Sequence, residues 1–233
     1  MREQLSMDEF LNERMTSMGE PHLACALVLD TSGSMSGSAI RNLNEGIKRF
    51  KNNVMEDPIA QKRIDVALVT FNSKVQVYSD FAPISKMPTP ELTAAGRTDM
   101  ASAVNIALDL VNERTKMYQN LGTPCHKPWI FLITDGASTS ETEEMEKAAA
   151  RVREAEMKGS HGRLSFWALG VNGYVADDLF KFTDRVIELA DEDFNGIFDW
   201  LSDSFTFISQ TGVGEEAEVD ILPKNVKKVV REN

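Results

Sequence analysis

His22–Gly37 reads HLACALVLDTSGSMSG. Seven of its first eight residues are apolar, Asp30 follows, and a Gly-studded run of small hydroxyl residues comes next. A continuous apolar run of this length suits a strand buried on both faces, as in a parallel sheet. The turn after it offers several chemistries: a phosphate cradle, a nucleophile elbow, a metal site, or a well-capped helix start. The rest of the chain has to choose among them.

The same strand-like pattern returns along the sequence. Arg63–Phe71, Trp129–Asp135, Arg163–Val171 and the shorter Arg185–Ala190 are the further strand candidates. Lys74–Phe81 alternates instead and follows Asn72-Ser73 closely, which predicts the return arm of a hairpin and an antiparallel edge strand. Between the strands, apolar residues fall at helical spacing. Ile40, Leu43, Ile47, Phe50 and Val54 mark one helix; Met100, Val104, Ala107, Leu108 and Val111 mark the next. Met145, Ala148, Ala149 and Val152 mark a third, and Phe194, Ile197, Phe198, Leu201, Phe205 and Ile208 another. Ser140 with Glu143 has the spacing of a capping box opening the third helix. A short helix is expected from about Ala176 to Phe182.

Strand and helix alternation with short connections predicts an α/β fold: a three-layer, doubly wound sandwich with a mostly parallel central sheet and one antiparallel edge strand. The 233 residues suffice for one such domain and are too few for two. The expected organisation is a helical lead-in over residues 1–20, the domain over 21–211, and a charged C-terminal tail over 212–233.

Composition narrows the partners. The net charge of −11 gives no basic footprint for nucleic acid. Two cysteines, Cys25 and Cys125, make no disulfide framework. The start, MREQLSMDEF, lacks the basic-then-apolar order of a signal peptide, and no apolar run approaches the roughly 18 residues of a membrane span. A soluble, cytoplasmic protein without membrane or nucleic-acid partners is the expectation.

In open α/β sheets, ligands gather at the carboxyl ends of strands, where strand order reverses. Three loops carry chemistry to that edge: Asp30-Thr31-Ser32-Gly33-Ser34, Thr98-Asp99 within AAGRTDM, and Asp135-Gly136. All offer hard oxygen donors, a set that suits Mg2+ or Mn2+. A P-loop needs a lysine that SGSMSG lacks, and the G-x-S-x-G of a nucleophile elbow is not present around Ser32. A serine triad needs a histidine, and His22, His126 and His161 all precede strands, at the opposite end of the sheet. Singly, each serine reads as a helix cap and Asp135-Gly136 as an ordinary turn. Asp99 reads as a first-turn helix acid. Trp129, Trp167 and Trp200 read as core.

Asp30-x-Ser32-x-Ser34, Thr98 in GRTD and Asp135 in TDG resemble, in this order, the metal-ion-dependent adhesion site of von Willebrand factor A domains. The resemblance covers roughly residues 20 to 210. It implies that Ser32, Ser34 and Thr98 contact a metal through hydroxyls, while Asp30 and Asp135 bind directly or through waters. Mg2+ is the ion expected, with Mn2+ or Ca2+ as alternatives, and a partner protein's Asp or Glu would complete its shell. A non-enzymatic interaction module follows, with the oligomeric state left open. The GRTDM loop and the lead-in resemble the bacterial, tellurium-resistance and stress-associated branch. After TDG the chain reads ASTSE where many relatives carry a proline. The competing readings are a Mg2+-dependent phosphohydrolase and a scaffold whose metal site is not functional.

Overall fold

The computed structural model describes residues 19–157, 164–189, 193–214 and 222–231. The expected helical lead-in therefore lies outside the described residues, apart from Gly19 and Glu20. The strands are β1 (Leu23–Asp30), β2 (Ile64–Phe71), β3 (Val75–Pro83), β4 (Trp129–Thr134), β5 (Ser165–Gly170), β6 (Val186–Leu189) and β7 (Val226–Lys228). The helices are α1 (Ser38–Glu56), α2 (Ala60–Arg63), α3 (Met100–Asn120), α4 (Thr142–Met157), α5 (Ala176–Phe180) and α6 (Asn195–Gln210). One sheet runs in the order β3-β2-β1-β4-β5-β6-β7. The five strands from β2 to β6 across its centre are parallel.

The period-2 geometry of a strand explains the continuous apolar runs. Along β1, Leu23, Cys25, Leu27 and Leu29 pack into the layer holding α1 and α6. Ala24, Ala26 and Val28 face the other layer, with Val104 and Ala107 of α3 and Met145 and Ala148 of α4. Both faces are covered, so no residue of β1 or β2 is solvent-facing. In the first layer α1 and α6 approach closely: a Cβ at Gly46 would fall 2.3 Å from the Phe198 ring. The tryptophans belong to this packing, with Trp129 stacked on Trp167 at 5.6 Å between ring centroids and Trp200 edge-on to Trp167 at 5.4 Å.

The expected hairpin forms: β3 pairs antiparallel with β2, and the Asn72 side chain accepts from Lys74 N at 3.0 Å to close the turn. A second antiparallel strand was not expected. Val226–Lys228, assigned to the charged tail, pairs with β6 and closes the other edge of the sheet. Three residues are too few for alternation to register, and only Val226 of the three is buried. What calls for the strand is the backbone edge of β6, which would otherwise stand open. The capping box also resolves differently. Helix α4 begins at Thr142, and the Ser140 hydroxyl accepts instead from Ala101 N at the start of α3, 3.1 Å away.

Among the described residues, no helix is long and apolar enough to cross a membrane.

Candidate functional site

Strand order reverses between β1 and β4, because the chain leaves β1 toward β2 on one side and returns to pair β4 on the other. Parallel pairing of Leu29 with Ile133 brings the next residues, Asp30 and Thr134, side by side at the carboxyl ends of the two strands. Asp30 is wholly buried, and both its oxygens are engaged. Oδ2 accepts from Thr134 Oγ1 at 2.5 Å, and Oδ1 accepts from Ser32 N at 2.7 Å.

A short 3-10 turn, Gly33–Met35, then folds Ser34 back toward Ser32, their hydroxyls 2.9 Å apart. Ser34 Oγ donates to Asp135 Oδ1 at 2.6 Å. The Thr98 loop is tied to the first loop by Gly33 N to Gly96 O at 3.0 Å and Ala95 N to Thr31 O at 2.8 Å. It is tied to the third by a reciprocal pair, Thr98 N to Thr139 Oγ1 at 3.2 Å and Thr139 N to Thr98 O at 2.9 Å.

Gly136 lies close to two of the hydroxyls. A Cβ there would sit 3.3 Å from Ser34 Oγ and 3.7 Å from Thr98 Oγ1. Asp30, Ser32, Ser34, Thr98 and Asp135 are thus brought to one place. Asp30, Ser32, Thr98 and Asp135 are buried, while Ser34 is exposed, so the cluster opens to solvent on the Ser34 side. Burial pushes the Asp30 carboxyl up to about 6; the bonds from Thr134 and Ser32 oppose this, and the Asp135 charge adds to it. Such a carboxyl gains from any cation placed against it.

The donors are hydroxyls and two carboxylates, the hard-oxygen chemistry that Mg2+ prefers. Among the described residues, no group of three or more His, Cys, Asp or Glu side chains is placed to hold a metal. Asp99 turns away: it caps α3 by accepting from Ser102 N at 3.3 Å and from Ser140 Oγ at 3.1 Å. Beside Thr98 lies an open polar cleft of about 450 Å³, walled by Ser73, Arg97, Thr139 and Glu144 among others.

The histidines stand elsewhere. His22 Nδ1 lies 3.0 Å from Asp65 Oδ2 at the amino ends of β1 and β2, and His126 N donates to His22 O. His161 lies outside the described residues. Cys25 and Cys125 are both free thiols.

Two participants escaped the sequence reading. Thr134 was visible as the residue before Asp135, and Thr139 as part of ASTSE. Neither carries charge or motif, and their partners, Asp30 and Thr98, lie 104 and 41 residues away.

The doubly wound, mostly parallel sheet with helices on both faces matches the fold of von Willebrand factor A domains. Residues 25–137, from within β1 to just past β4 and including all five clustered side chains, match the family model described as von Willebrand factor type A domain. Solved structures agree at the level of the fold. The vWF domain of the type V pili tip protein Mfa5 from Porphyromonas gingivalis aligns with a TM-score of 0.60 at 12% identity, over 83% of this chain and 98% of that one. The PilB minor pilin from Streptococcus sanguinis aligns at 0.53 and 12%, over 83% and 62%. Proximal thread matrix protein 1 from the mussel byssus, solved with a zinc-occupied MIDAS motif, aligns at 0.51 and 16%, over 82% and 46%. This chain thus spans under two thirds of the pilin and of the mussel protein. No curated protein matches by sequence.

Proposed function

We propose that the protein is a non-enzymatic, divalent-metal-dependent protein-interaction module. In this reading Ser32, Ser34 and Thr98 offer hydroxyls to one Mg2+, with Mn2+ or Ca2+ as alternative ions. Asp30 and Asp135 act directly or through water. The observation that carries the reading is that the Ser34 and Thr98 hydroxyls both lie within 4 Å of the Cβ position of Gly136, with Ser34 bonded to Asp135 and Asp30 pre-oriented by Thr134. A shell rich in neutral hydroxyls leaves the ion electrophilic, so a partner's Asp or Glu entering from the exposed Ser34 side gains strongly. The mussel matrix protein with its zinc-occupied MIDAS motif lends this reading support by analogy.

No histidine adjoins the cluster among the described residues, which favours binding over acid–base turnover. The placement in a cytoplasmic, bacterial stress or tellurium-resistance-type system rests on the resemblance of the GRTDM loop and of the lead-in to that branch.

The test is calorimetric titration of Mg2+ into the wild type and into Asp30→Ala, followed by capture of binding proteins in Mg2+ and elution with EDTA. Saturable Mg2+ binding lost in the variant, with EDTA-released capture, is the expected result. Capture that is indifferent to EDTA and to the substitution would overturn the mechanism. Mg2+-dependent hydrolysis of generic phosphate esters, lost in Asp30→Asn, would replace it with phosphohydrolase chemistry.

A further inference from the structure

Buried hydroxyls in this fold mostly donate to backbone carbonyls. Thr31 donates to Phe71 O, Thr183 to Phe166 O, and Ser204 to Trp200 O. Thr134, wholly buried, is different: it donates to the Asp30 carboxylate at 2.5 Å. Its proton has one direction open to it. Gly136 N, 3.4 Å away, can only donate to Thr134 Oγ1, and an ionised carboxylate can only accept. The hydroxyl is therefore polarised from the Gly136 amide toward Asp30, and it links the first acidic residue of the cluster to the turn that carries the second.

We infer that Thr134 is the positioning residue of the site: its hydroxyl sets the Asp30 carboxylate plane in advance of any cation and holds it in register with the Asp135-Gly136 turn. This rests on the metal-site reading above. With Ser32 N on Oδ1 and Thr134 on Oδ2, both oxygens are held by donors from opposite sides. A carboxylate held from two sides surrenders little rotamer freedom when it meets a metal or a metal-bound water. Outer groups that orient a metal-binding side chain in this way typically change metal affinity by about 10–100-fold.

The test compares Thr134→Val, which keeps the shape and deletes the donor, with Thr134→Ser, which keeps the donor and deletes a methyl. Mg2+ affinity is measured by titration calorimetry, and thermal unfolding in EDTA is recorded for each variant. The expected result is an affinity about tenfold or more below wild type for Thr134→Val and near wild type for Thr134→Ser. Should Thr134→Val fail to fold, Thr134→Cys, a weak donor of similar size, takes its place with the same expectation. Undiminished affinity in Thr134→Val or Thr134→Cys would overturn the inference. So would equal losses in Thr134→Ser and Thr134→Val, because lost packing would then be the cause. A wild type that binds no Mg2+ fails at a different point, overturning the metal-site reading and this inference with it.

Discussion

Ser34 Oγ donates to Asp135 Oδ1 across 2.6 Å, joining two residues 101 positions apart. The bond brings the turn after β1 against the turn after β4 and leaves Ser34 at the solvent edge of the cluster. Substituting Asp135 by Ala removes an acceptor and one of two carboxylates. If the site binds as proposed, a Mg2+ concentration near one hundred times its dissociation constant would add about 2.7 kcal/mol to the stability of the wild type. Asp135→Ala is expected to gain none of it, read as a loss of the Mg2+-dependent rise in Tm against EDTA. An undiminished rise would remove Asp135 from the site.

The buried Asp30 carboxyl, pushed up to about 6, gives two pH effects of opposite sign. Without metal, the folded state holds the Asp30 proton more tightly than the unfolded chain does. Asp30 therefore contributes stability at low pH that is lost as pH rises from about 4 through 6. Metal binding needs the ionised form, so Mg2+ affinity is expected to fall as pH drops below about 6. Asp30→Asn, which removes the titrating group but turns one acceptor into a donor, is expected to flatten the metal-free pH dependence of Tm between about pH 4 and 6 and to abolish the Mg2+ response. Thermal melts at pH 5 and 7, with Mg2+ and with EDTA, read both.

Gly136→Ala places a methyl 3.3 Å from Ser34 Oγ and 3.7 Å from Thr98 Oγ1. The substitution keeps every donor atom but narrows the space between two hydroxyls. The expectation is a fold within about 1 kcal/mol of wild type and a clear loss of Mg2+ affinity by calorimetry. Equal Mg2+ binding in the variant would show that the ion does not sit there.

At the far end of the sheet, Asp65 is wholly buried against Arg114 at 3.0 Å, His22 at 3.0 Å and the Tyr118 hydroxyl. Burial alone would raise its carboxyl, but the Arg114 charge, with His22 and Tyr118, holds it well below the usual carboxylate range. Its contribution is present above pH 4 or so and is lost as pH falls further. Asp65→Ala removes the carboxylate that faces the buried Arg114 guanidinium, at an expected cost of about 3–5 kcal/mol in urea unfolding. Mg2+ affinity of the folded fraction is expected to stay unchanged, because the cluster lies at the opposite strand ends.

Strand β7 is anchored by buried Val226, by Val229 N to Val186 O at 2.9 Å, and by the Arg231 guanidinium over the Phe180 ring at 5.2 Å. Deleting residues 222–233 uncovers the β6 edge. A lower Tm and faster hydrogen exchange at Val186–Leu189 are expected. Unchanged exchange there would show that the strand contributes nothing to the edge.

The fold was legible because its signals are local and repeated. Leu23–Asp30 is apolar throughout because both faces of β1 are covered, and the alternation in β3 betrays its edge position. The three loops that carry Asp30, Ser32, Ser34, Thr98 and Asp135 were legible because hard oxygen donors recur at strand and helix boundaries; the resemblance to the adhesion-site motif singled out these five. The same local logic misplaced Ser140. Its spacing to Glu143 satisfies the pattern for capping α4, but in space its hydroxyl lies nearer to the start of α3. It also passed over Val226–Lys228, since an edge strand of three residues answers a need of β6 rather than a pattern of its own.

By itself, then, the sequence determined which segments become strands and helices, their layering, and which oxygen-bearing residues reach the switch point. Hydrophobic period and turn chemistry act over a few residues, so they can be read one residue after another. Only the tertiary structure decided what those side chains meet: Thr134 on Asp30, Thr139 on Thr98, and two hydroxyls over Gly136. Hydrogen bonds are satisfied by whatever lies within about 3 Å once the strands have paired, and partners 41 to 104 residues apart leave no spacing in the chain for a reader to find.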